Sequence, residues 1–254
     1  MSLARTALRL GVIEALRSHP VVEAMCPGRV YDSRIADFDH GEPVPVIVVT
    51  TEELAGEPWN EQNGGEPFND SCDLVLEIAM TQLVQNSDAA FLYSPETDSE
   101  MEASLDLLEE CASSIVTLGR PTPRSPRPTA AGKLLMSAVT RRVSKRTSSR
   151  FASDQTGEKL AIHLLTFRVE LKGEQIDSYE IAPGPFGILP DPLRTIAGAM
   201  VEGSSGYLTC QLIAERLALT VAPVAIPPSQ PVVTPDQAPG TLPTSFSVDL
   251  SQVP

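Results

Sequence analysis

"VTRRVSKRTSSRFASDQTGEKLAIHLLTFRVELK", from Val139 to Lys172, decides the fold of this chain. In its second half His163, Leu165, Phe167, Val169 and Leu171 recur at every other position, the period of a strand with one face buried. Asp154 to Gly157 carries a turn signal, so the two halves fold back on each other as a hairpin. The first half is basic, with Arg141, Arg142, Lys145, Arg146 and Arg150 and no acid among them.

Three further strands lie upstream. Arg29 to Ile35 reads as a short strand, and "VPVIVVTT" from Val44 to Thr51 is a β-branched run suited to cover on both faces. Pro45 puts the beginning of that run at an edge or strand start. "SCDLVLEIAMTQ", Ser71 to Gln82, is the third, with Leu74, Leu76 and Ile78 facing one way. Between the last two, "EELAGEPWNEQNGGEPFND" reads as a long polar loop holding the only tryptophan, Trp59, and Phe68. Isolated aromatics on such a loop point to an interaction element, with Glu57, Glu61 and Glu66 around them.

Two helices complete the pattern. Ser2 to about Ser18 is one, its apolar residues spread over more than one face and Pro20 its stop. In the other, Ser94 reads as the cap, Pro95 sits in the first turn, and Met101, Leu105, Leu108, Ala112 and Ile115 form an apolar stripe up to Gly119. "RPTPRSPRPT" then forms a stiff, basic connector. The expected fold is α+β: a roughly five-stranded, mostly antiparallel sheet packed by two helices, spanning residues 1–172. Residues 173–222 read as a partly helical extension broken by Gly198, Gly203 and Gly206. Residues 223–254, with eight prolines and no Lys or Arg, read as an extended proline-rich arm. Its "TSFSVDL" could add a strand to a neighbour's sheet.

The formal net charge of −14 conceals a split. No Lys or Arg occurs from Ile35 to Gly119, whereas Arg120 to Arg150 holds nine of the nineteen basic residues and no acid. Such segregation suits a molecule whose acidic surface meets the basic surface of another copy; two solvated faces of a monomer are the plainer alternative. No apolar run is long enough to span a bilayer, and Arg5, Arg9, Glu14 and Arg17 argue against a secretory signal. Cys26, Cys72, Cys111 and Cys210 are too widely spaced for a zinc knuckle or redox dithiol, and so read as buried, reduced side chains.

Catalytic chemistry finds little support. Asp37, Asp39 and Glu42 lie beside His40 in "RIADFDHGEP", but the calcium-loop order is not met and one histidine does not make a zinc site. Asp70 and Asp73 repeat the pattern without more context. His19, His40 and His163 have no nucleophile motif beside them, and "TAAGK" lacks the phosphate-loop spacing. The basic stripe could follow phosphates, yet it lacks interleaved aromatics in an acidic protein. The Asp37–Glu42 loop reads as a surface element, and no catalytic residue, metal or cofactor is expected.

The order of elements (N-terminal helix, "GRVYDSRI", "PVIVVTTEE", "CDLVLEIAM", acidic helix, then the "RRVS…TGEKLAIHLLTFRVEL" hairpin) resembles the tail terminator proteins of long-tailed bacteriophages. The likeness covers Met1 to about Lys172 and carries no catalytic signature. It implies a non-enzymatic virion protein assembled in the host cytoplasm, a ring, as a hexamer, that caps the tail tube and joins it to the head connector. Its partners would be copies of itself, the major tail tube protein and the connector or stopper protein, with the genome passing through an acidic lumen without specific binding. The residues expected at interfaces are Trp59, Phe68, Glu57, Glu61, Glu66, Arg141, Arg142, Lys145 and Arg146. Another neck protein, such as a connector, stopper or tail completion protein, is the nearest alternative. A metal-dependent hydrolase using Asp37, Asp39 and Glu42 is the more distant one.

Overall fold

The computed structural model describes residues 3–33, 44–58, 68–83, 97–125, 127–155, 158–174 and 182–221. Five strands form one sheet: β1 (Val30–Asp32), β2 (Val46–Pro58), β3 (Phe68–Leu83), β4 (Thr140–Gln155) and β5 (Glu158–Leu171), in the order β1-β2-β3-β5-β4. β1 runs parallel to β2, and the other three pairings are antiparallel. The fold is therefore α+β with a mostly antiparallel sheet. It carries more helix than the sequence announced: α1 (Ala4–Arg17), α2 (Pro20–Met25), α3 (Asp98–Leu118), α4 (Ala130–Leu134), α5 (Leu193–Gly198) and α6 (Ser205–Val221).

The hairpin forms as its alternation requires. Leu165, Phe167, Val169 and Leu171 of β5 are buried, and Leu74, Leu76 and Ile78 of β3 fill the same face. All join the helices in one apolar cluster. Phe167 is fully buried there, a burial that stabilises by roughly 2–3 kcal/mol. Val46, Val48, Val75 and Ala79 are buried as well, but on the opposite face and outside that cluster. Glu77 shares this second face, opposite Val48 and Leu164, and burial holds its carboxyl above the ordinary value.

The apolar stripe of α3, Met101, Leu105, Leu108, Ala112 and Ile115, is buried throughout. Thr97 is the N-cap, completing a capping box with Glu100, so the helix begins beyond Ser94 and Pro95, which lie outside the described residues. Gly119 ends it in the left-handed region, φ 64°. A Cβ at Gly132 would lie 2.1 Å from the Gly119 carbonyl oxygen. Two backbones meet there with no room for a side chain.

Helix α1 is buried nearly all round, and its second side is covered by the same chain. One side packs on β1 and β2, the other on α4 and α5, with Leu135 and Ile196 close against Gly11. The core therefore does not stop at Lys172: Phe186, Leu189, Leu193, Ile196, Ala197, Cys210 and Ala214 belong to it. Residues 1–220 form one compact unit. The arm after 221, including "TSFSVDL", lies outside the described residues.

Pro20 starts a helix rather than stopping one. His19 caps α2, its Nδ1 accepting from the Val21 and Val22 amides at 3.0 and 3.3 Å. The proton then sits on Nε2 and is donated to the Pro121 carbonyl at 2.6 Å. All four cysteines are buried free thiols. Burial pushes Cys26 up to about 12, and Cys72 and Cys210 up to about 11, which suppresses the reactive thiolate.

Candidate interaction surface

The described parts of the polar stretch after Thr51, residues 52–58 and 68–70, are strand, not loop. β2 continues through "EELAGEP" to Pro58, and β3 begins at Phe68, pairing Pro58 with Phe68 and Glu57 with Asn69. Exposed strands owe their pairing to backbone hydrogen bonds, so side-chain periodicity need not mark them. A register shift between Thr51 and Leu54 marks where this arm leaves the core. Glu52, Glu53 and Glu57 are exposed along it with no basic neighbour in sequence.

β4 is the basic counterpart at the other edge of the sheet. From Arg141 to Ala152 every residue is exposed except half-buried Val143. The two charged regions meet in a shallow cleft of about 380 Å³ lined by Glu57, Asn69, Asp70, Arg141, Arg142 and Arg168 with their neighbours. Arg142 forks onto Glu170, its Nε 3.0 Å from the carboxylate, and this bond raises the arginine's pKa further. Arg168 binds Asp73 at 3.0 Å, with Glu53 at 3.9 Å, and is raised for the same reason. Arg141 donates to Asn69 at 3.1 Å. With Glu170 and Asp73 on two of its arginines, the cleft is not a free anion site.

A second cluster lies under α3. Arg150 grips Glu102 with Nε at 2.8 and 2.9 Å, and its NH2 completes the fork. Buried His163 places Nδ1 3.0 Å from Glu109 and Nε2 3.4 Å from Glu102; Ser148 donates to Glu109 at 3.1 Å. The Arg150 hydrogen bond, the largest effect, holds Glu102 below the ordinary carboxylate value; burial opposes it, and the weaker His163 hydrogen bond adds to the lowering. The cluster ties α3 to the β4–β5 hairpin. Part of the acid–base complementarity expected between copies is thus met within one chain.

Of the residues singled out from sequence, Glu57, Arg141 and Arg142 come together in the cleft. Lys145 lies beside Arg168 across the strands, and Arg146 beside Phe167. Phe68 is 39% exposed at the start of β3, its Cβ against Gly56. Trp59, Glu61 and Glu66 lie outside the described residues, as do Asp37, Asp39, His40 and Glu42. The partners of Glu102, Glu109 and Asp73 escaped the sequence reading because they are fixed by register and helix placement, which one sequence does not display. Among the described residues no cluster of three or more ligating side chains could hold a metal, and no helix is long and apolar enough to cross a membrane. No protein-family model matches the chain, and no curated protein matches it.

Proposed function

We propose that this chain is a structural, ring-forming subunit of a bacteriophage tail: a tail terminator that caps the tail tube and joins it to the head connector. The observation that carries the reading is the placement of charge on the sheet. The acidic arm of β2 and the basic strand β4 stand on opposite sides of the β3–β5 pair. A subunit with unlike ends assembles head to tail, and head-to-tail contacts close into rings when the rotation permits. The order of elements, resembling that family from the first helix to the hairpin, supports the same reading.

In this reading the subunit performs no chemistry. It supplies an annulus through which DNA passes, with phosphates repelled by carboxylates rather than bound. Light scattering on the purified protein, with negative-stain images of the same fractions, tests it. A single closed multimer with a central channel is the expected result. A monomer at every concentration, alone and with tail tubes, rejects the reading.

A further inference from the structure

Two strand edges of the sheet have no strand partner among the described residues. β4 is sixteen residues long and, among the described residues, has a strand partner, β5, on one side only. Every second residue of such a strand directs its N–H and C=O away from that partner, a template for another strand. Its register shifts are confined to the stretch before Lys145, so the strand from Arg146 onward is regular. β2 is paired with β1 only at Ile47 to Val49; from Thr51 to Pro58 no described strand lies on its outer side.

These edges differ in charge. Lys145 and Arg146 have no ion pair or hydrogen bond among the described residues, nor do Glu52 and Glu57. Pairing β4 with β4 of a second copy would set cations against cations, and pairing two β2 arms would set acids against acids. Only the mixed pairing brings the unmatched charges together. Direction agrees as well: β2, β3, β5 and β4 alternate, so β4 runs antiparallel to β2. A copy related by rotation about an axis along the strands would place its β2 arm antiparallel beside β4.

We infer that the outer edge of β4 pairs with the outer edge of the β2 arm of a second copy, continuing the sheet from subunit to subunit. This rests on the reading of a self-assembling ring, and it names the surfaces that ring would use. The occupant is another copy of this chain, chosen by charge.

A charge-swap experiment on the full chain tests it. Lys145→Glu with Arg146→Glu makes one variant acidic at both edges; Glu52→Lys with Glu57→Lys makes the other basic at both. Each variant alone is expected to remain monomeric by light scattering, while an equimolar mixture recovers the wild-type mass through alternating subunits. That recovery also shows both variants folded. If each variant assembles alone like wild type, the edge pairing is wrong and the ring reading stands. If wild type itself never assembles, both fall. Ser149→Cys with Ala55→Cys gives the direct geometric check, since the natural thiols are buried. A bismaleimide should link the double variant into a ladder and leave each single variant monomeric; dimers from Ser149→Cys alone would mean β4 pairs with itself. Phe246→Asp with Val248→Asp should leave assembly unchanged; its loss would make the C-terminal segment the occupant instead.

Discussion

The two ends of the β2–β3 pair obey different rules. At one end Ile47 and Val49 lie opposite Ile78 and Leu76 under the helices, each fully buried. At the other, Glu57, Asn69 and Phe68 continue the same ladder into water. Backbone hydrogen bonds are common to both, so they do not explain why one end is a core and the other a surface. Side-chain burial does. It is also what makes one end intolerant of change and leaves the other free to carry interaction chemistry.

The sharpest way to break that contrast is at its buried end. Phe167→Ala should cost about 3–5 kcal/mol in urea unfolding, since the ring is wholly enclosed and a cavity remains. A cost below about 1 kcal/mol would mean that the sheet face is not packed as described. Gly132→Ala comes next, at about 1–3 kcal/mol, because its methyl would meet the Gly119 carbonyl and must push α4 off the end of α3. Thermal melting of that variant beside Gly173→Ala, where nothing lies near, isolates the contact.

Glu102→Gln sits between the extremes. Its partner Arg150 is half exposed, so solvent screening keeps the loss to about 1 kcal/mol or less. The sign with pH follows from linkage. Glu102 has a lowered folded pKa, so its contribution is present above the ordinary value of 4.5 and disappears as pH falls through the folded value. Wild type and Glu102→Gln should therefore differ at pH 7 and converge in acid; a gap that widens below pH 4.5 would refute the ion-pair role. Smallest is Lys145→Glu with Arg146→Glu, expected within about 0.5 kcal/mol of wild type in monomer stability while assembly is lost. A large drop in melting temperature would show that the basic edge serves the fold instead.

What the sequence made legible follows the same division. The α3 stripe and the β5 alternation could be read because burial wrote a period into them. The arm from Glu52 to Pro58 read as loop because it is exposed, and exposed strands need no such period. Helices α5 and α6 read as glycine-broken fragments, yet Phe186, Ile196 and Cys210 lie in the core. Helix α5 is only six residues long and Phe186 lies outside any helix, so the burial of this region depends on packing that local periodicity does not record. His19 looked like the residue before a terminating proline. Its role as a cap depends on the Pro121 carbonyl, distant in sequence. Among the site residues, clustered like charges marked Arg141, Arg142 and Glu57, whereas the pairs Arg150–Glu102 and Arg168–Asp73 required the strand register.

The imidazole of His19 also has a mechanical consequence. It fastens the first residues past α3 to the turn between α1 and α2, at the root of the segment bearing Arg120, Arg124 and Arg127. A load applied to those arginines is therefore delivered into the packed interior rather than absorbed by slack chain, as a cleat holds a rope at the hull.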